Sequence, residues 1–393
     1  MKRSALLFGA LLFGAASGAN AQALTMQMSN GWTFGFAGNV NIFAMYQNVS
    51  SSNNATGSPG QLVTGADLKG LYYGTGLLPS FATFTAKGKE GETDLGVQFG
   101  FAPQVQCGGN QHDCFGTAGS GGAGAQIDMR QVFMTVGGSW GTITAGKELG
   151  VYQRSNILND QTLFGVGGGG IAPGGTTLGR IGFGYIYPNF VPQFTYTSPA
   201  GRSTTFNIGL MEPSAFGAYT ELTIPRLEAE VAFKAGSNLS VFVGGTVQNG
   251  KDPIADESKT AVGGSGGLTY KSSTFSIHGS GYFGKGLGTT LMFSALSHDG
   301  AGELSTSYGY YGQITFTPAA SKATFAGSFG SSFLKDDGDN FKTENSLVSG
   351  GIYYQATKSL KIVGEGDYMW SKDKEGSGKN KAFTGAFGMM LFY

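Results

Sequence analysis

Residues Asn380 to Tyr393 read Asn-Lys-Ala-Phe-Thr-Gly-Ala-Phe-Gly-Met-Met-Leu-Phe-Tyr. One face carries Phe383, Gly385, Phe387, Met389, Leu391 and Tyr393, and the other Ala382, Thr384, Ala386, Gly388, Met390 and Phe392. A period of two marks a β-strand. No charge follows Lys381, and the chain stops on an aromatic ring. Such an edge, with unpaired N–H and C=O groups beside apolar side chains, invites aggregation in water unless it is paired. Closing the sheet into a barrel removes the edge; the alternative is a strand at the end of a secreted β-sandwich.

The N-terminus narrows the choice. Lys2 and Arg3 precede an apolar run from Ala5 to Ala16, followed by Ala19-Asn20-Ala21 and Ala21-Gln22-Ala23. This is the pattern of a secretory leader (residues 1–21) cut after Ala21 or Ala23, leaving a single domain, 22–393. The run is too short to cross a bilayer, and no other stretch offers the roughly 18 consecutive apolar residues of a transmembrane helix.

Composition points the same way. The chain holds 69 Gly, 30 Phe and 17 Tyr, and only 13% of its residues are charged, against about 25% in a soluble domain. So many aromatics with so little charge require a non-aqueous surface. A mean hydropathy near zero (−0.05) is expected when lipid-facing and water-facing residues alternate. The glycines have no triplet period, which excludes collagen, and the aromatic content excludes disorder. The 25 Lys+Arg less Lys2 and Arg3 leave 23 against 25 Asp+Glu, a balance that predicts no nucleic-acid partner.

Taken in order, the mature chain repeats the two-residue period. Phe34, Phe36, Val40, Ile42, Ala44 and Tyr46 alternate with polar positions in a first strand. A polar loop is expected from Asn48 to about Gly70, then a second strand near Ser80 to Lys89 and a third with Leu95, Val97, Phe99 and Phe101 outward. Residues 128–136 and 343–355 give no clean facing. Between Lys147 and Pro188 the alternation stops, and a stretch that long without regular structure is usually functional. From Asn189 onward it resumes to the end, giving sixteen strands in all. Short links such as Ser198 to Gly201 alternate with long polar ones near Glu212 to Thr223, Gly250 to Lys259, Lys285 to Thr306, Lys335 to Lys342 and Lys372 to Lys379. The expected fold is all-β: a transmembrane antiparallel barrel of sixteen strands with a long third loop folded into the lumen.

The run Arg130 to Val136, the turn through Gly141, and Thr142 to Lys147 resemble the strand four, turn and strand five segment of Gram-negative general porins, with Lys147 where that family commonly has Arg. With the leader, the strand count and the terminal aromatic, the likeness covers essentially the whole mature chain. It implies a homotrimer in the Gram-negative outer membrane, in contact with lipid and lipopolysaccharide, that passes small hydrophilic solutes and ions by passive diffusion. It also implies that the Lys147 to Pro188 segment narrows the pore, with Lys147, Glu148, Arg154, Asp160, Phe164 and Arg180 as its constriction residues. Leu163-Phe164-Gly165 is similar to the Phe-Gly-Gly tip of the family's loop. The family's loop usually carries acids facing an arginine cluster, whereas this one has only Glu148 and Asp160 beside Arg154 and Arg180, so a strong transverse field is not expected.

By parity, Lys87, Lys89, Asp94, Arg226, Glu228, Glu230, His278, Lys361, Glu365 and Asp367 lie opposite the apolar ladder and are expected to line the pore in water. In lipid each charge would cost about 2 to 4 kcal/mol at the midplane. Enzymatic readings find no support, because His112, His278 and His298 sit in no hydrolase motif and Gly165 to Gly170 lacks the Gly-Lys-Ser/Thr ending of a phosphate loop. Asp336-Asp337-Gly338-Asp339 resembles a calcium loop in composition alone. No metal or cofactor is expected. The open rival is a solute-specific channel, with Tyr152, Leu163, Phe164, Tyr185 and Tyr187 forming an aromatic or apolar slide.

Cys107 and Cys114 are the only cysteines, seven positions apart, and in an oxidising compartment they are expected to pair. Alkylation of non-reduced, denatured protein should therefore label neither; recovery of both as free thiols contradicts the pairing.

Overall fold

The computed structural model describes residues 24–50, 60–63, 67–105, 127–168, 176–299, 302–336, 342–373 and 379–393. The expected leader and Cys107, His112 and Cys114 lie outside the described residues. The strands are β1 (Leu24–Gln27), β2 (Thr33–Ser50), β3 (Leu68–Gly74), β4 (Phe81–Glu90), β5 (Thr93–Pro103), β6 (Ile127–Gly138), β7 (Gly141–Leu149), β8 (Phe190–Thr197) and β9 (Thr204–Met211). They continue as β10 (Arg226–Ala235), β11 (Leu239–Asp252), β12 (Glu257–Lys271), β13 (Phe275–Lys285), β14 (Thr306–Phe316), β15 (Ala323–Lys335), β16 (Lys342–Gln355), β17 (Leu360–Asp373) and β18 (Lys379–Phe392).

These elements make sixteen staves, because two staves are built from two pieces each. Both β3 and β4 pair with the same edge of β2, β3 over Phe43–Val49 and β4 over Thr33–Asn39. Likewise β1 pairs with Thr33–Phe36 of β2 beyond the end of β18, which pairs with Asn39–Ser50. Every neighbour is antiparallel, and the β18–β2 pairing closes the ring. Tyr393 seals the junction: its carbonyl accepts from Gly38 N at 2.9 Å and its N–H donates to Gly38 O at 3.0 Å. Its ring lies 5.1 Å from that of Phe36.

The alternation read from the sequence is the alternation of the wall. In β18, Phe387, Met389 and Leu391 are exposed to the outside while Met390 and Phe392 are buried within. The two stretches without clean facing have separate causes. In β6, Arg130 and Gln131 together oppose Gly100, so Met129 pairs with Phe101 and Val132 with Phe99. This β-bulge flips the parity, putting odd residues outward before it and even ones after it. In β16, residues 343–347 are buried on both faces: residues 60–63 lie against the inside, while Glu344 and Ser346 on the other face are covered by Trp370, Lys372 and Ser331. Asn345 accepts from Leu62 N at 3.0 Å and donates to Gly60 O at 2.7 Å.

Three loop expectations are corrected. Strand β2 runs on to Ser50 and β3 starts at Leu68, inside the loop expected from Asn48 to Gly70. Gly250 to Lys259 is mostly ladder, with Asp252 paired to Glu257. The ladder also continues to Lys372 opposite Lys379. Backbone pairing carries these polar residues beyond the apolar band, so polarity marked the band's edge rather than the strand's end.

The seam predicts the effect of a truncation. Deleting Tyr393 should leave export intact but impair assembly, read as loss of the heat-modifiable form on unboiled gels; equal insertion of the shortened chain would show that the seam closes without it.

Candidate functional site

Between β7 and β8 the chain leaves the wall for forty residues, Gly150 to Asn189, and returns against the inner face of the barrel. Its described residues include a short helix, α1 (Arg154–Asn159), and a 3-10 turn, Gln161–Phe164. The segment has its own core: Asp160 accepts from Thr162 N at 3.0 Å, Thr162 Oγ1 at 2.7 Å and Tyr185 Oη at 2.8 Å. Burial, reinforced by the Asp160 charge, raises the Tyr185 phenol well above its usual value, so it stays a donor. Arg180, fully buried, sits 4.0 Å from Asp160 and donates to Leu347 O at 3.1 Å and to Ser328.

Two wall glutamates hold the segment. Glu228 Oε2 on β10 accepts from Val151 N at 2.7 Å and Tyr152 N at 2.8 Å. Glu365 Oε1 on β17 accepts from Val166 N at 2.7 Å and Gly167 N at 2.6 Å, while its other oxygen accepts from Tyr353 Oη at 2.5 Å. A carboxylate across two successive N–H groups forms charge-assisted bonds, each contributing about 1.5 to 3 kcal/mol. The tip needs glycine for this approach: a Cβ on Gly165 would lie 1.9 Å from Glu365 Oε2, and Gly167 has φ +57°. Further bonds run from Gln313 Nε2 to Asn159 O (2.9 Å), Tyr311 Oη to Asn156 O (2.8 Å) and Gly184 N to Ser332 Oγ (2.9 Å).

The break between β3 and β4 belongs to the same assembly. Leu77 N and Leu78 N donate to Gly165 O and Leu163 O at 3.1 and 3.2 Å. The segment thus supplies acceptors to backbone groups where the stave leaves the ladder, as buried N–H groups require.

Space remains on the opposite side, against β4 to β8. There a row of uncharged amides crosses the wall: Gln98 donates to Gln131 (2.9 Å), Gln131 to Glu148 (3.0 and 3.1 Å), and Gln193 to Glu148 O (2.7 Å). With Leu149, Arg154 and Leu158 of the segment side they line a cavity of about 40 Å³. Toward the short-turn end it gives way to one of about 470 Å³, lined by Lys87, Asp94 and Thr142 among others.

Against this geometry, the family profile described as Gram-negative porin matches residues 6–374. The chain is a Gram-negative porin. It is therefore a channel of the outer membrane and not an enzyme. Among solved structures it is similar to the outer membrane channel DcaP of Acinetobacter baumannii, with TM-score 0.65 and 16% identity over 92% of this chain and 99% of that one. An anion-selective porin from Comamonas acidovorans gives TM-score 0.62 and 13% identity over 92% and 100%. OmpT of Vibrio cholerae, in a trimer form, gives 0.56 and 13% over 92% and 100%. At these identities the likeness is one of fold. No curated protein sequence matches.

In this porin the charges expected along the pore divide into two groups. Lys87, Lys89 and Asp94 lie near the short-turn end, with Lys89 and Asp94 3.7 Å apart and both half-exposed. Arg226, Glu228, Glu230, His278, Lys361, Glu365 and Asp367 are all buried, because the segment covers that half of the wall. Arg226 and Glu228 approach to 2.9 Å without an aligned N–H, and Glu230 accepts from Ser155 Oγ at 2.8 Å. His278 Nδ1 meets Thr269 Oγ1 at 2.8 Å, and Lys361 Nζ sits 3.8 Å over the Phe164 ring. Asp367 is fully buried further along β17. Of the expected constriction residues, Arg154, Asp160, Phe164 and Arg180 belong to the segment, and Glu148, next to last in β7, accepts from Gln131 on the inner face. Lys147 is corrected: it is in β7 on the outward parity, and its Nζ donates to Met129 O at 2.9 Å beside the bulge. The amides Gln98, Gln131 and Gln193 were missed because a search for charge passes over them; the parity of Gln98 and Gln193 opposite Val97 and Phe194 was legible, whereas Gln131 lies in the stretch without clean facing beside the bulge.

Replacing either anchor should free the segment. Glu228→Ala and Glu365→Ala should each increase open-channel noise and proteolytic cleavage within residues 150–189 while the barrel remains heat-modifiable; unchanged noise and cleavage in both would remove the anchoring role.

Proposed function

We propose that this porin passes small hydrophilic solutes and ions by passive diffusion along the β4 to β8 side, and that Gly150 to Asn189 sets its effective width. The supporting observation is the asymmetry of the interior. The segment is bonded to wall residues from β10 to β17, and the space left narrows at Gln98, Gln131 and Gln193 opposite Leu158. A sixteen-stranded barrel encloses a channel wide enough that only an internal obstruction can sieve solutes. Among the described residues, Glu148 and Arg154 are the only charged side chains lining the narrow cavity, so ion preference is set by one acid and one base. Neutralising Glu228 and Glu230 would then act on segment anchoring before it acts on selectivity. The homotrimeric assembly implied by the family completes the proposal.

Excising part of 156–175 should raise single-channel conductance about twofold or more and admit larger solutes, whereas trimming 372–379 should do neither. Insertions into planar bilayers should come in sets of three equal steps. Equal conductance in the excised and intact channels would place the constriction elsewhere.

A further inference from the structure

Above the amide row lies a second cavity of about 230 Å³, between the segment and the broken stave. Its walls are apolar over most of their extent, with Leu77, Ile157, Leu158, Leu163 and Ile181 among the lining residues. Among the described residues, Arg130 is the only charged one lining it. The β-bulge places this side chain: with Gln131 it forms the extra residue in β6, at the point where outward and inward parity exchange. The guanidinium is oriented from three sides. Asp128 accepts from Nε at 2.8 Å, Tyr187 Oη lies 3.4 Å from Nη1, and the Phe190 ring centre is 5.7 Å from Cζ. Asp128 does not line the cavity, so an occupant meets the guanidinium rather than its counter-ion. Two of the five N–H groups of an arginine are thereby engaged, and the others remain for a ligand.

A second observation points to an occupant. Thr176 and Thr177 are among the residues lining the same cavity, and their Oγ1 atoms are buried without a hydrogen-bond partner among the described residues. Unpaired buried hydroxyls cost free energy that a ligand bearing a complementary polar group recovers.

Resting on the reading of the chain as a diffusion channel, we propose that this cavity is a binding site for amphipathic organic monoanions: a single ring or short branched hydrocarbon bearing one carboxylate. The carboxylate pairs with Arg130 beside Tyr187, the hydrocarbon body fills the leucine and isoleucine slot, and a ring hydroxyl reaches Thr176 or Thr177. A second carboxylate would be placed against apolar walls with no partner, at a cost that disfavours dianions. A cation meets the guanidinium with like charge. The cavity shares Leu78, Phe81, Leu149 and Leu158 with the narrow one below it, so bound solute stands directly over the narrowest part of the passage.

The test uses the full-length mature protein in detergent micelles and in planar bilayers, with benzoate and 4-hydroxybenzoate as probes and acetate, phthalate, benzylammonium and benzyl alcohol as controls. Calorimetry should show saturable binding of benzoate, tighter binding of 4-hydroxybenzoate, and binding at least about tenfold weaker for every control. In bilayers the two aromatic monoanions should block ion current in a dose-dependent way. Arg130→Gln and Leu158→Asn, each verified as heat-modifiable, should both weaken benzoate binding at least about tenfold. Absence of saturable binding, equal binding of benzyl alcohol or phthalate, or unchanged affinity in both variants overturns the proposal. Binding without any ion conductance would keep this site and overturn the channel reading instead, whereas conductance without binding does the reverse.

Discussion

Lipid offers no hydrogen bonds, and everything in this porin follows from the need to pair each backbone N–H and C=O without water. A sheet meets that need only if it has no edges. Closure falls to a junction of three pieces of chain, since β18, Tyr393 and β1 succeed one another along the same side of β2. The terminal aromatic therefore does two jobs in one place. Its backbone continues the ladder, and its ring covers Phe36 on the face toward lipid.

The same requirement acts inside the barrel, where the segment between β7 and β8, whose described residues form no strand, must still satisfy its backbone. The wall supplies acceptors as carboxylates, each spanning two successive N–H groups. Glycine at 165 and 167 lets the chain come close enough, and the resulting bonds cover both anchors from water. This inverts the usual meaning of inward-facing charge. Glu228 and Glu365 are structural fasteners, and the space left on the other half of the wall is lined by amides and hydroxyls with Glu148 and Arg154. The pore's chemistry is asymmetric because the segment lies to one side.

Irregularities of the wall serve the interior. The bulge at Arg130 and Gln131 releases Met129 O, which Lys147 takes up outside, and delivers the arginine to the upper cavity within. The break between β3 and β4 frees Leu77 and Leu78 to meet the segment's tip. Neither feature is forced by the barrel itself. Each costs ladder bonds, and the inward segment or a side chain replaces them.

Much of this was legible in the residues. A period of two needs only local sequence, because successive side chains on a strand must point to opposite sides, and lipid on one side makes the alternation visible. Strand count, closure and the interrupted Lys147 to Pro188 stretch followed from that pattern, and the porin family from a resemblance carried by Arg130 to Lys147 together with the leader and the terminal aromatic. Position within the interior did not follow. Parity says that Glu228, Glu365 and Gln193 all face inward, but it cannot say which the segment will cover, since that depends on contacts between residues as far apart as Val166 and Glu365. The bulge was equally hidden: its register is a relation between two strands, and one strand's sequence shows only a lost phase. Local alternation is set by the chain's own geometry, whereas burial, anchoring and the path of the pore are set by which distant segments meet.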